Sequence, residues 1–104
     1  MSNELKEIIQ KLISENPDII QISSNWDPKT CNGIIWVQIP GISDTERDNE
    51  FFNKYTDYVT DKYSNADPAY DECVTTVCAQ SDPVANDIYP LVYDKERGII
   101  EDAV

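Results

Sequence analysis

The chain is 104 residues long and carries 20 acidic side chains against 8 basic ones, a formal net charge of −12, with no histidine. This length predicts one compact domain, 1–104. The lack of histidine excludes a Ser-His-Asp or Cys-His arrangement, and three scattered glycines exclude a glycine-rich phosphate-binding loop. We therefore expect no catalytic residues, no cofactor, and no direct binding to nucleic acids or membranes, which attract basic surfaces.

The first predicted element is an amphipathic α-helix near the N-terminus. Its apolar residues recur at i, i+3, i+4, i+7 and i+8, as one face of a helix requires: Leu5, Ile8, Ile9, Leu12 and Ile13. Asn16-Pro17 ends this helix, because proline disfavours the helical conformation in the residue before it.

Two segments rich in β-branched residues follow, 18–24 and 33–39, and both predict strands. The second segment is largely apolar on both faces, which favours an inner strand of a sheet or a strand covered by helices on one side. The connection contains the turn signals Asp27-Pro28 and Asn32-Gly33. We therefore expect a β-hairpin with a long loop.

A long helix with an aromatic face is predicted from about Asp44 to Ser64. Ser43 and Glu46 have the Ser-x-x-Glu spacing of a capping box, in which each side chain binds an unpaired backbone N–H. One broad face carries the large side chains Phe51, Phe52, Tyr55, Tyr58, Val59 and Tyr63. We interpret this face as core packing.

The last third of the chain carries two helix-start signals and one hairpin signal. Asp67-Pro68 predicts a helix whose apolar residues are Tyr70, Cys73, Val74, Val77 and Cys78. The β-branched run Val74–Val77 alternatively predicts a strand. Ser81-Asp82-Pro83 repeats the start signal before a shorter segment, Val84 to Ile88, and Leu91–Tyr93 with Ile99–Ile100 predicts a small hairpin.

Together these elements predict a small α+β domain. Its order is an N-terminal helix, a β-hairpin, a long aromatic-faced helix, further short helices and a C-terminal hairpin.

The three cysteines, Cys31, Cys73 and Cys78, are an odd number, which favours unpaired thiols in a reducing compartment over a disulfide framework. No metal site is expected, because the CxxxxC spacing and the lack of histidine do not fit a zinc site. The N-terminus lacks the basic and apolar regions of a signal peptide, and no apolar run approaches the ~20 residues that span a bilayer. We therefore expect a cytoplasmic protein.

The negative charge is concentrated in the second part of the chain. Residues 1–43 hold 5 acids and 3 bases, a net −2, whereas residues 44–104 hold 15 acids and 5 bases, a net −10. At 100° per residue, four carboxylates of the long helix share one stripe away from the aromatic face, interrupted only by Lys54: Glu46, Glu50, Asp57 and Asp61. A solvated helix face that aids solubility is the alternative interpretation of this stripe.

The stripe predicts a binding protein for a basic partner, since carboxylates spaced roughly 6, 10 and 6 Å apart along an axis can occupy sites built for phosphates. In general character the chain resembles phage DNA-mimic inhibitors of restriction or CRISPR systems. The resemblance implies inhibition of a nucleic-acid-binding nuclease or effector complex in the host cytoplasm. The candidate partner-binding residues are Glu46, Glu50, Asp57 and Asp61, with Asp67, Asp71 and Glu72 extending the surface.

Three other function classes remain open. An immunity protein or antitoxin that neutralises a nuclease toxin would place aromatic anchors beside the charges, and the candidates are Trp26, Trp36, Tyr63 and Tyr70. A non-catalytic subunit of a larger assembly would use the charge for solubility alone. An enzyme with paired carboxylates is the weakest class, because a chain of this length rarely forms a deep cleft. The oligomeric state is left open.

Overall fold

A five-stranded mixed sheet and two α-helices make up the part of the chain that the computed structural model describes, residues 1–42, 45–63, 74–83 and 87–101. The elements are α1 (Asn3–Glu15), β1 (Gln21–Ser24), β2 (Gly33–Gln38), α2 (Thr45–Tyr63), β3 (Thr75–Gln80), β4 (Leu91–Asp94) and β5 (Gly98–Ile99). The sheet order is β3-β2-β1-β4-β5, parallel between β2 and β3 and antiparallel elsewhere. The predicted α+β fold is confirmed.

The N-terminal helix α1 forms as its apolar spacing predicts. Ser2 caps the helix, because its Oγ accepts the Leu5 N–H at 3.2 Å and so satisfies one first-turn donor. The helix ends at Asn16, directly before Pro17, also as predicted. Its buried residues are Leu5, Ile8, Ile9 and Leu12.

The hairpin of β1 and β2 is confirmed, with Ile22 opposite Val37. β1 is shorter than predicted, since it begins at Gln21 rather than at residue 18. β2 lies between β1 and β3, so it is the predicted inner strand. Gly33 opens β2 with a φ of +127°, and a Cβ there would lie 2.6 Å from the Cα of Trp26. Only glycine fits this close approach.

The long helix α2 has the predicted aromatic face, with one exception. Phe51, Tyr55, Val59 and Tyr63, each four residues from the next, are all buried. At Phe52 the prediction is wrong, because this side chain is 38% exposed although its helical angle lies among those of the buried residues. The predicted capping box involves Ser43, which lies outside the described residues.

The predicted helix running to Cys78 is wrong, because Thr75–Gln80 is strand β3; the alternative strand over Val74–Val77 is the better prediction. Side chains at 75, 77 and 79 are buried and those between them are partly exposed, the two-residue alternation of a strand. β3 pairs in parallel with β2, from Gly33 opposite Thr75 to Gln38 opposite Gln80. β-branched residues suit this pleated surface, and the helical spacing depended on Tyr70 and Cys73, which lie outside the described residues.

The two faces of the sheet are covered differently. The helices and the buried strand residues form one core cluster, which includes Ile22, Ile35, Val37 and Val77. On the opposite face the ring of Trp36 contacts that of Tyr89 edge-on, with centroids 6.3 Å apart. Gln38 Nε2 donates there to the carbonyl oxygen of Ser81 at 3.3 Å. The connection from β3 to β4 therefore reaches the face that the helices leave open.

The C-terminal hairpin of β4 and β5 is confirmed, with Tyr93 opposite Ile99. The remaining helix-start signal, Ser81-Asp82-Pro83, precedes residues 84–86, which lie outside the described residues. No helix besides α1 and α2 is present in the ranges that are described.

Candidate functional site

The outer face of α2 carries the carboxylates on which the functional prediction depends. We call Glu46, Glu50, Asp57 and Asp61 the outer stripe; all four residues are exposed. They lie opposite the buried face of the helix because positions seven and eleven residues apart return to nearly the same angle. The predicted extension by Asp67, Asp71 and Glu72 lies outside the described residues.

The basic side chains of α2 form their ion pairs with acids of other segments, although Arg47 and Lys54 line one groove together with Glu50 of the outer stripe. Lys54 Nζ lies 3.2 Å from Glu15 Oε1, and Lys62 Nζ lies 3.3 Å from Glu7 Oε2, so both pair with α1. The third base, Arg47, contacts Asp18 Oδ2 at 2.6 Å through its guanidinium group. All three basic charges of the helix are therefore used inside the molecule.

Acidic residues of α1 contact basic and tyrosine side chains of α2, and we call this set of contacts the seam; its carboxylates are Glu7 and Glu15. Glu15 has the larger number of partners. The Tyr55 hydroxyl donates to its Oε1 at 2.7 Å, and the ammonium groups of Lys11 and Lys54 each lie 3.2 Å from one of its oxygens. These contacts lower the pKa of Glu15 to about 2. Tyr55 also accepts a hydrogen bond from Asn16 Nδ2 at 2.8 Å, so one buried hydroxyl joins α2 to the end of α1.

A second carboxylate, Glu7, anchors the other end of the seam. Lys62 donates to its Oε2, and Tyr63 donates to the same oxygen at 3.1 Å; in that order they lower the pKa of Glu7. Burial, followed by the hydrogen bond to Glu7, raises the pKa of Tyr63 to about 12. The seam therefore consists of ion pairs and tyrosine hydrogen bonds that join α1 to α2 at both of its ends.

The outer stripe differs from the seam in having few internal partners. Glu50, Asp57 and Asp61 make no ion pair within the described residues, whereas Glu46 has an electrostatic or hydrogen-bonding contact. Five of the eight basic residues of the chain are committed to ion pairs elsewhere: Lys6, Lys11, Arg47, Lys54 and Lys62. The outer face of α2 therefore carries negative charge that the described part of the molecule does not neutralise.

The aromatic anchors predicted for an immunity protein are mostly core residues. Trp26 is 5% exposed and donates from Nε1 to Thr75 Oγ1 at 3.1 Å, and Tyr63 is 8% exposed. Both rings complete the core, as the aromatic face of α2 predicts for Tyr63, and they contact each other with centroids 5.5 Å apart. Neither ring is therefore exposed as an anchor. Trp36 is partly exposed, and Tyr70 lies outside the described residues.

Two residues that are candidates for partner binding were not identified from the sequence. Phe52 is exposed although its helical angle predicted burial, and Asp48 lies half-buried beside it. Both line a groove of about 260 Å³ together with Trp36, Asn49, Cys78 and Ala79. Helical angle alone could not find this groove, because its other wall comes from β2 and from β3, which was predicted as helix.

The described residues were also compared with the requirements of a metal site, a pair of catalytic carboxylates and a membrane-spanning helix. In the described ranges no three His, Cys, Asp or Glu side chains are grouped so that they could hold a metal ion. Among the described residues that line a groove of about 420 Å³ beside the start of α1, Asp27 is the one carboxylate, so these residues do not form a pair of acids. Neither α1 nor α2 is apolar enough over its length to cross a membrane.

The expectation of three unpaired thiols is wrong at Cys31, which is buried and disulfide-bonded. Cys78 is a free cysteine on β3, and burial, followed by the charge of Asp48, raises the pKa of its thiol. Cys73 lies outside the described residues. The cysteines therefore no longer support a reducing compartment.

Comparison of the chain with protein-family models, with curated proteins and with solved structures found no match. The function is therefore inferred from the residues and their arrangement.

Proposed function

We propose that this protein is a small acidic inhibitor that binds a nucleic-acid-binding enzyme or complex through a DNA-mimicking carboxylate surface. The outer stripe of α2 occupies the partner's phosphate-binding sites. Phage inhibitors of restriction or CRISPR systems have this character, so a nuclease or effector complex in the host cytoplasm is the proposed target.

One observation carries this proposal: the bases of α2 form ion pairs with Glu7, Glu15 and Asp18, whereas its outer carboxylates Glu50, Asp57 and Asp61 are exposed and form no ion pair within the described residues. Here Glu46 and Glu50, and also Asp57 and Asp61, are four residues apart, where like charges destabilise a helix. A basic partner supplies the missing charges and so accounts for this cost.

The spacing of the stripe also supports a phosphate-like role. Along the helix its carboxylates are separated by roughly 6, 10 and 6 Å, at 1.5 Å per residue. Lys and Arg side chains that hold a nucleic-acid backbone face anionic groups several ångströms apart. Such basic surfaces attract the stripe at long range and increase the rate of association.

The proposal is tested by displacement of a labelled DNA duplex, followed by fluorescence anisotropy. Three basic enzymes serve as targets: a restriction endonuclease, an RNA-guided CRISPR nuclease and a toxin nuclease. We expect the protein to release the duplex from at least one of them at low salt, and less effectively as salt rises. The triple variant E50Q/D57N/D61N should need about tenfold more protein for the same release, since each lost exposed pair contributes ~0.5 kcal/mol.

The matched control is E4Q/D27N/E96Q, which removes three exposed acids away from α2. Both variants have a net charge of −12 + 3 = −9, so a difference between them reports the position of the charge rather than its amount. Equal displacement by the two variants, or no displacement by the parent protein from any target, would overturn the proposal.

An immunity protein for a nuclease toxin is the second candidate, and the exposed ring of Phe52 favours it. An aromatic anchor of this kind contributes to binding through burial rather than charge. Excess duplex relieves inhibition by a DNA mimic, because the two compete for one surface. Inhibition that excess duplex does not relieve, and that F52A abolishes, would favour the immunity protein.

A further inference from the structure

The groove at the β3 edge, between the first half of α2 and the sheet face that carries Trp36, has the size of a single side chain. Its volume is about 260 Å³, below the ~300–1,000 Å³ that is usual for small-molecule sites. It lies at the β3 edge, where the first half of α2 meets the sheet, and its lining residues are Trp36, Asp48, Asn49, Phe52, Cys78 and Ala79. A long side chain from a partner is the kind of group that fits this space.

The walls of the groove are aromatic and its charge is negative. Phe52 is 38% exposed, and Trp36 is partly exposed on the open face of the sheet. Asp48 has no cation partner within the described residues. Its charge reaches the neighbouring thiol of Cys78, where it adds to the effect of burial in raising the pKa. A positive group in the groove would form an ion pair with Asp48 and cation–π contacts with the rings of Phe52 and Trp36.

The unpaired bases of the protein do not fill this role. Lys29 lines the groove at the start of α1, Lys95 Nζ donates to the carbonyl oxygen of Pro17 at 3.2 Å, and Arg97 lies in the turn between β4 and β5. Within the described residues no base therefore forms an ion pair with Asp48.

We propose that the groove holds one arginine side chain of the basic partner, with its guanidinium group beside the Asp48 carboxylate and against the rings of Phe52 and Trp36. This inference rests on the proposed function, because it gives the basic partner an anchoring residue. Arginine fits better than lysine because its planar guanidinium group stacks on aromatic rings as well as pairing with a carboxylate. Arginine is also among the residues that contribute most at protein interfaces.

Trp36 provides a direct way to observe the occupant. Its Nε1–H is buried and has no acceptor among the described residues, so the ring can shift without losing a hydrogen bond there. The indole of Trp26 is instead held by Thr75 in the core. In a ¹H–¹⁵N spectrum the indole N–H signal of Trp36 therefore reports on the groove, and that of Trp26 is an internal reference. The variant W36F assigns the two signals.

The experiment titrates the isolated protein with N-acetyl-arginine methylamide, using the neutral isostere N-acetyl-citrulline methylamide as the matched ligand. We expect the Trp36 signal to move and the Trp26 signal to stay, with about fivefold tighter binding of the arginine derivative. D48N should remove this preference, whereas D57N, which changes the same charge on the outer stripe, should keep it. Equal binding of the two ligands, or a preference that survives D48N, would overturn the proposal.

This experiment is independent of the displacement assay. Selection of the arginine derivative without displacement of any duplex would leave the groove assigned and the proposed function wrong. Displacement of a duplex without selection of arginine would overturn the groove assignment alone.

Discussion

Two buried tyrosine hydroxyls hold the helices together at specific atoms. Tyr55 donates to Glu15 and accepts from Asn16, and Tyr63 donates to Glu7. Each hydroxyl lies at the edge of the core, where a polar group without a hydrogen bond would lower the stability of the fold. Glu7 and Glu15 of α1 therefore contribute to the fold through these hydrogen bonds.

The depressed pKa of Glu15 predicts how acid weakens the fold. Its ordinary value of 4.5 falls to about 2 in the native state, so its contribution to stability is complete above about pH 4.5 and is lost as the pH falls toward 2. We expect E15Q to melt a few degrees below the parent protein at pH 6, with a difference that shrinks between pH 5 and pH 2. Thermal melts followed by circular dichroism measure this.

The variant E50Q is the control for that series, because Glu50 has the same charge but no ion pair within the described residues. A constant difference between E15Q and the parent protein over the whole acid range would contradict the role given to Glu15.

At the scale of elements, α2 closes the outer edge of the sheet. β3 is the edge strand beside β2, and Thr56 Oγ1 of α2 accepts the backbone N–H of Val77 at 3.1 Å. Exposed strand edges invite pairing with other chains, and covering the edge with a helix is one way to prevent it. In addition to the core contacts of α2, Thr56 therefore joins this helix to the edge strand by a hydrogen bond.

The variant T56V tests this contact without changing the shape of the side chain. It leaves the Val77 N–H without its acceptor, so we expect a loss of about 1–3 kcal/mol in the free energy of unfolding. The matched control is T60V, since among the described residues the Thr60 hydroxyl donates to the carbonyl oxygen of Thr56 in its own helix and makes no hydrogen bond to a strand. Urea denaturation measures both variants, and hydrogen exchange at the Val77 amide locates the effect. Equal costs for T56V and T60V would refute the edge contact.

The sequence predicted elements well where one periodicity applied and poorly where partners were distant. The spacing in α1 and the face of α2 needed only local information, and both are confirmed. β3 was predicted as helix because residues 70–78 also fit a helical spacing, and its parallel partner Gly33 is 42 positions from Thr75. The groove at Phe52 and Asp48 was missed for the same reason, since Trp36 and Cys78 come from strands that sequence spacing does not relate to α2.

At the scale of the whole molecule, the charge is divided between a neutralised seam and an unneutralised outer face. The sequence predicted the excess of acids after residue 43 and the angle of the outer stripe, both of which follow from counting and helix geometry. It did not predict that the bases of α2 pair with α1 and with Asp18, because those contacts depend on how the elements pack.

This division predicts that the outer stripe does not stabilise the fold. Removing three of its charges in E50Q/D57N/D61N relieves repulsion along α2, so we expect equal or higher stability at low salt, by up to ~0.5 kcal/mol per site. Added salt should reduce the difference, because it screens exposed charges. Urea midpoints at low and high salt measure both effects. A clear loss of stability would contradict this prediction. The variant E7Q, which removes a carboxylate of the seam, is the positive control for such a loss.

The packing of α2 has a further consequence for conformational entropy. Four residues spread from Phe51 to Tyr63 are buried, so the backbone beneath the outer stripe is fixed before any partner arrives. Association then has to order only the carboxylate side chains, at about 0.5–1.5 kcal/mol each, and not the chain that carries them. A disordered acidic segment of the same composition would also have to order its backbone on binding, which makes the helix the better scaffold for a tight complex.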